Sequence, residues 1–173
     1  MNENILLLIS HPDYPKSRIN KALAQKAGLL PNVTVRHLDE VQKENHYSIE
    51  EEFALLRKAS CVVWLFPVHW YNAPPSLRLW QDEVLSPILY GSENFLKGKK
   101  VLVACSAGAA EETFSPTGLN RFTAEEMLRP MQMTTNACSM EWQKPFVTFG
   151  AATLTDEQIS SAAEEFVLLL QKL

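Results

Sequence analysis

Three short stretches carry the residues able to do chemistry. The first, 10-SHPDYPKSRIN-20, holds His11, Ser17, Arg18, Ile19 and Asn20. A helix starting near Ser17 would offer free backbone N–H groups and the positive end of its dipole, and Arg18 would add a cation, a combination suited to phosphate. Plain helix capping by Ser17 with Arg18 in water explains the same residues. The second, 67-PVHWYNAPP-75, sets His69, Trp70 and Tyr71 between prolines. Trp70 and Tyr71 could pack on a flat ring, with the backbone around Val68 to Tyr71 bonding its polar edge; equally, Trp70 or Tyr71 could cover the end of a sheet with His69 solvated. The third, 106-SAGAAEETFSPTG-118, opens on Ser106, Ala107, Gly108 and Ala109. Small residues there permit close approach of backbone to a ligand, as would an ordinary strand exit. A flat, phosphorylated ring compound would satisfy all three stretches together.

Other chemistries lack their residues. Neither a Walker phosphate loop nor a G-x-G-x-x-G fingerprint occurs. Cys61, Cys105 and Cys138 have neither zinc-ligand nor redox-motif spacing, so no metal site is expected and reduced thiols in a cytoplasm are. Cys105, beside the third stretch, reads as a small buried hydrophobe. A net charge of −4 with interspersed signs argues against nucleic-acid binding. The first apolar run, 5-ILLLI-9, follows the acidic Glu3 and is too short to span a membrane.

The elements that must position these stretches are set by hydrophobic pattern. The runs 4-NILLLIS-10, 61-CVVWLF-66 and 100-KVLVACS-106 are continuously apolar, as in strands buried on both faces. The segment 33-VTVRHL-38 alternates and suits an edge, and 145-PFVTFGA-151 supplies a fifth strand with Pro145 at its start. Helices are expected over 17–28 with Ser17 as cap and Gly28 as terminator, 48–60 with a Ser48–Glu51 capping box, and 75–85 with a first-turn proline. Two more are boxed by Thr123–Glu126, with Pro130 kinking or interrupting the helix beyond Arg129, and by Thr155–Gln158. Alternating β and α predicts one α/β domain over residues 1–173, with a five-stranded parallel sheet of flavodoxin-like order 2-1-3-4-5 and helices on both faces. Ligands in such sheets bind beyond the carboxyl ends of the strands. The three stretches come directly after strands one, three and four.

At these residues the chain resembles the flavodoxin-fold NAD(P)H:quinone oxidoreductases, in particular the short bacterial members that include ancillary proteins of glutathione-regulated potassium-efflux systems. The likeness rests on His11-Pro12 with Ser17 to Asn20, on 66-FPVHWYNAPPSLRLWQDEVL-85 followed by Tyr90-Gly91, and on 98-GKKVLVACSAGA-109. The segment 119-LNRFTAEEMLRPMQ-132 is similar to the ancillary proteins.

The resemblance implies a non-covalent flavin, FMN rather than FAD in a chain this short. It implies NAD(P)H as co-substrate and a homodimer; hydride would pass to the flavin and then to a quinone or similar flat acceptor, and one site shared by both predicts a ping-pong mechanism. By position, Ser17, Arg18, Ile19 and Asn20 would hold the phosphate with His11 beside them. Pro67, Val68, His69, Trp70 and Tyr71 would line the ring, and Ser106, Ala107, Gly108 and Ala109 its polar edge. No catalytic acid or base is assigned; Tyr71, Phe114 and Asn120 are expected to line the site. The family's usual Thr-Thr-Gly-Gly is replaced by Ser106-Ala107-Gly108-Ala109, putting a Cβ at 109 where backbone would want positive φ. Phe114 and Asn120 stand where larger relatives carry Tyr and His, which bears on catalytic efficiency more than on flavin binding. These departures and the ancillary-like segment support an alternative, a regulatory subunit of a potassium-efflux transporter with weak or no turnover.

Overall fold

A computed structural model of the chain describes residues 4–173. Glu3, with its acidic charge, lies outside the described residues. Four parallel strands, β1 (Ile5–Ile9), β2 (Val33–His37), β3 (Cys61–Pro67) and β4 (Lys100–Ser106), lie in the spatial order β2-β1-β3-β4. Every residue of β1 is buried, as are all but the terminal Pro67 of β3 and the terminal Lys100 of β4. β2 is partly exposed throughout, as an edge strand should be.

The fifth lane departs from expectation. It is shared by two pieces that both pair with β4: β5 (Glu141–Trp142) at Lys100 and Val101, and β6 (Phe146–Thr148) at Ala104 to Ser106. Pro145 has no N–H to donate, so the ladder lapses before β6. The expected strand over 145–151 is therefore shorter and is preceded by a two-residue partner.

Alternate strand residues feed two cores. Ile5, Leu7 and Ile9 meet Ile19 and Leu23 of α1 (Ile19–Ala27) and Ile159, Ala163, Phe166 and Leu170 of α8 (Asp156–Leu170). Leu6 and Leu8 face the other cluster, with Leu56 of α3 (Ile49–Lys58), Leu77 and Trp80 of α4 (Pro75–Trp80), and Met131 of α7 (Arg129–Ala137). Truncating a fully buried leucine such as Leu7 should cost about 2–5 kcal/mol.

Several helix ends differ from the sequence reading. The residue preceding α1 is Arg18 rather than Ser17, and Gly28 ends it in ordinary right-handed backbone. Leu38 opens a short helix, α2 (Leu38–Val41), instead of ending β2. Ser48 makes no capping bond to α3. Glu51 is taken by Arg36 at 2.9 Å, and Arg36 also holds the fully buried Glu52, whose other oxygen accepts from Trp80 Nε1 at 2.8 Å. A charge-assisted pairing outweighs a cap. Pro75 does occupy the first turn of α4, which continues through a π-helical turn (Gln81–Leu85) into α5 (Ser86–Leu89). Both remaining boxes form, at Thr123–Glu126 on α6 (Ala124–Met127) and at Thr155–Gln158 on α8. Pro130 sits in the first turn of α7, so the interruption is a restart after Leu128.

Candidate functional site

Strand register brings the loop origins level. Ile9 pairs with Leu65, Pro67 with Ser106, and Ser106 with Thr148. Hydrogen bonds continue past the strands: Ser10 N–H to Leu65 O (3.0 Å), Val68 N–H to Ser106 O (2.8 Å), and Ala107 N–H to Thr148 O (2.9 Å). One carboxylate oxygen of Asp39 accepts from His11 N–H (2.7 Å) and from Ser76 Oγ (3.0 Å), tying the first loop to α4.

In the first loop a 3-10 turn (Tyr14–Lys16) delivers the chain to α1. Four N–H groups at a helix start have no intrahelical partner. Here Ser17 Oγ accepts from Lys21 N–H at 3.3 Å, while the N–H groups of Arg18, Ile19 and Asn20 meet no acceptor among the described residues. The Asn20 side chain is 1% exposed, and neither its amide nitrogen nor its oxygen has a partner. A buried polar group left so costs roughly 1–3 kcal/mol, so the Asn20 amide calls for a partner from outside the chain, an ordered water or a ligand. The Arg18 guanidinium is engaged with Leu154 O (3.0 Å) and Asp156 (2.8 Å), leaving its backbone as its contribution to the loop. His11 Nδ1 accepts from Asp13 N–H at 3.1 Å, which puts the proton of the neutral ring on Nε2. Burial, and next the neighbouring His69, push the His11 pKa down.

The second loop is a tight reversal. His69 and Asn72 exchange two backbone bonds, of 2.9 and 3.0 Å, around Trp70 (φ 48°) and Tyr71 (φ 61°). Two central residues of positive φ are the mark of a type I′ turn, a position for Asn and Gly. Bulky aromatics there are strained, and such strain collects at ligand sites. The turn consumes the N–H groups of His69 and Asn72, and Val68 spends its own on Ser106 O, while those of Trp70 and Tyr71, at its exposed tip, meet no acceptor among the described residues. Trp70 is 92% exposed. It therefore does not cover the sheet end.

In the third loop the anticipated positive φ at Ala109 is not found, nor at Gly108. A Cβ on Gly108 would meet nothing within 4 Å, and Ala109 O accepts from Gly150 N–H, so the loop is shaped by that pairing rather than by a second glycine. Ser106 and Ala107 are buried, and Gly108 and Ala109 are exposed. Full burial pushes the Cys105 thiol up to about 12, so it remains a structural thiol at neutral pH. Phe114 and Asn120 do come together with Tyr71: the Tyr71 hydroxyl donates to Asn120 Oδ1 at 3.1 Å, and all three line a cavity of about 520 Å³.

Two kinds of residue were missed. Thr148 ends β6 beside Ser106, 8% exposed, with an unpartnered Oγ1. By strand alternation it faces the α1 side, as Phe146 does. The rule that ligands gather at strand carboxyl ends applied to this strand too. Leu119 and Phe122 also line the cavity, and only the fold of the 110–123 segment brings them there.

The profile of the flavodoxin-like fold family matches residues 3–170. The uncharacterized NAD(P)H oxidoreductase YdeQ of Bacillus subtilis (strain 168) is 32% identical across 94% of this chain and 83% of its own length. The glutathione-regulated potassium-efflux system ancillary protein KefG of Pectobacterium carotovorum is 34% identical across 94% and 90%. The crystal structure of general stress protein 14 from Treponema denticola in complex with FMN superimposes with a TM-score of 0.90 at 28% identity, covering 98% of both chains. The chain belongs to the flavodoxin-like fold family.

Proposed function

We propose that this chain is an FMN-dependent NAD(P)H oxidoreductase acting on a quinone or similar flat acceptor. The carrying observation is Asn20, buried and unsatisfied at a helix start with three free N–H groups. That donor set fits a phosphate, and the exposed aromatic turn with the open surface over Gly108 fits a flat ring and its edge. The FMN bound by the Treponema protein and the oxidoreductase name of the Bacillus relative agree with this reading.

Bound FMN would supply two-electron transfer between NAD(P)H and the acceptor. The chain's own residues bind and orient. Asn20 and the N–H groups of Arg18 and Ile19 would hold the phosphate, with His11 beside them. The free N–H groups of Trp70 and Tyr71 would supply hydrogen bonds to the ring edge, so that no essential acid or base is required. Ser106, Gly108 and Thr148 border the opposite loop. The exposed face of the Trp70–Tyr71 turn would serve donor and acceptor in turn, and one shared face would make the kinetics ping-pong. The active assembly would be the cytoplasmic homodimer that the family resemblance implies. No helix among the described residues is long and apolar enough to cross a membrane.

The test is the visible spectrum of the purified protein, with released FMN identified chromatographically. A colourless protein that also takes up no added FMN would overturn the proposal, and intersecting double-reciprocal lines across acceptors would overturn its kinetic order. The likeness to KefG favours a second reading, an ancillary subunit bound to a potassium-efflux transporter. Stable transporter binding with negligible turnover would select it.

A further inference from the structure

We propose that Asp39 is a positioning residue: through one carboxylate oxygen it ties the start of the phosphate loop to the start of the helix behind the aromatic turn, so that both ends of the cofactor site keep one spacing. This deepens the oxidoreductase reading and rests on it.

The link is a chain of hydrogen bonds with one direction. Asp39, in the short helix α2, offers Oδ2 to the His11 N–H (2.7 Å) and to the Ser76 hydroxyl (3.0 Å). A carboxylate only accepts, so the single Ser76 proton goes to it. The Ser10 and Ser76 hydroxyl oxygens are 2.6 Å apart, and Ser10 is therefore the donor between them. The Ser10 oxygen is left to accept from Leu77 N–H at 3.2 Å. Ser10 and Ser76 are 0% and 4% exposed, so water does not compete for their bonds, and each bond strengthens the next.

The two ends of the chain give it its role. Leu77 N–H belongs to the first turn of α4, whose preceding residue, Pro74, has no side-chain oxygen to cap it. Ser10, from the other loop, takes the place of the cap. Pro74 and Pro75 leave little torsional freedom between the Trp70–Tyr71 turn and α4, so fixing the helix fixes the turn. At the other end, His11 starts the segment that runs through the Tyr14–Lys16 turn to the free N–H groups at the start of α1 and to Asn20. A second brace does not need Asp39. The buried Tyr47 hydroxyl donates to Ser76 O at 2.9 Å and lies 3.3 Å from Leu38 O, which keeps α2 on α4 when Asp39 is changed.

Amide hydrogen exchange of the ligand-free full chain tests the link, with the fully buried Leu102 of β4 as the control for global unfolding. FMN titration by flavin fluorescence tests what the link does. In Asp39→Ala the His11 amide should exchange about tenfold faster relative to Leu102, through loss of its acceptor. Leu77 should exchange about threefold faster, although it bonds Ser10 and not Asp39, because the chain that holds Ser10 has lost its end. FMN should bind about tenfold more weakly, since its two contact regions are no longer set to one spacing. Asp39→Asn keeps an oxygen able to accept both bonds and should bring FMN affinity back to within about threefold of wild type. Ser76→Ala cuts the chain and leaves His11 on Asp39. It should speed Leu77 but not His11, and shift the visible circular dichroism of FMN bound at saturation, a signature of ring pose that lost stability alone does not move.

Unchanged Leu77 exchange in Ser76→Ala would overturn the link, whether or not Asp39→Ala folds. Faster exchange with unchanged FMN affinity and dichroism would overturn the positioning role. An Asp39→Asn variant as impaired as Asp39→Ala would overturn the part played by the shared oxygen. Wild-type protein that takes up no FMN, with the exchange responses as expected, would leave the link standing and remove the oxidoreductase reading. FMN uptake with Leu77 unmoved would do the reverse, so the two failures are distinguishable.

Discussion

Two turns in this chain have almost the same backbone and very different residues. Lys43 to His46 and His69 to Asn72 each close with a reciprocal pair of backbone bonds of 2.9 to 3.0 Å. Each puts both central residues at positive φ, Glu44 (52°) and Asn45 (63°) in one, Trp70 (48°) and Tyr71 (61°) in the other. Asn tolerates that region because its short side chain bonds locally. The first turn is anchored by Glu83, which accepts from Tyr47 N–H at 2.9 Å and bonds the His46 ring. The second carries two large exposed rings and, among the described residues, has no such anchor beyond Tyr71 to Asn120. Architecture explains the first turn. The strain of the second is what gives its rings a role in the proposed site.

The comparison can be broken by experiment. Asn20 stores an unmet desolvation where the aromatic turn stores strain, and it gives the largest effect. Asn20→Leu should weaken FMN binding about a hundredfold, from the loss of charge-assisted bonds, yet raise the stability of ligand-free protein by about 1–3 kcal/mol. Parallel loss of stability and binding would mean that Asn20 is ordinary scaffold. Next, replacing Trp70 by Asn and Tyr71 by Gly relieves the αL cost, and urea melts should show about 2 kcal/mol of gain. The same double variant should lose FMN affinity by about tenfold, measured by fluorescence titration. The matched change at the first turn, Glu44→Asn with Asn45→Gly, should stabilise by about 0.5–1 kcal/mol and leave FMN affinity alone. If both pairs moved FMN affinity equally, the functional distinction between the turns would be gone.

The smallest effects are in pH dependence. His11, coupled to His69 of the aromatic turn, has its pKa depressed by burial and then by that neighbour. The unfolded chain therefore binds the proton more readily, and stability is lost as pH falls through the ordinary value of 6.5 and below it. Glu83 at the other turn is also depressed, by the Tyr47 N–H first. Its contribution is present above the ordinary 4.5 and is lost only as pH falls below that. Melts recorded from pH 8 to pH 3 should lose the upper slope in His11→Gln and the lower one in Glu83→Gln. One common transition for both would remove the separation.

Much of this was legible from sequence because burial writes itself into composition. The runs forming β1, β3 and β4 are apolar on both faces, and the two boxes at Thr123 and Thr155 are local enough to form as read. The Ser48–Glu51 box was lost because Arg36, distant in sequence, competes for Glu51. β5 went unseen because two residues carry no period. The aromatic turn was read as a wall but not as a type I′ turn, since Trp and Tyr are the wrong residues for its φ values and pattern reading relies on preference. Thr148 was passed over because a threonine ending a strand is ordinary until its hydroxyl is found buried and unpaired.

Sequence alone thus determined the order of strands and helices, the burial of the sheet, and which three loops would meet, because hydrophobic period and the carboxyl-end rule act through local pattern and chain order. Tertiary structure decided which of the loop groups were left over. Satisfaction of a donor depends on what lies across space from it, so only the folded chain shows Asn20 without a partner, Arg18 committed to Asp156, and Trp70 and Tyr71 held in backbone that neither would choose.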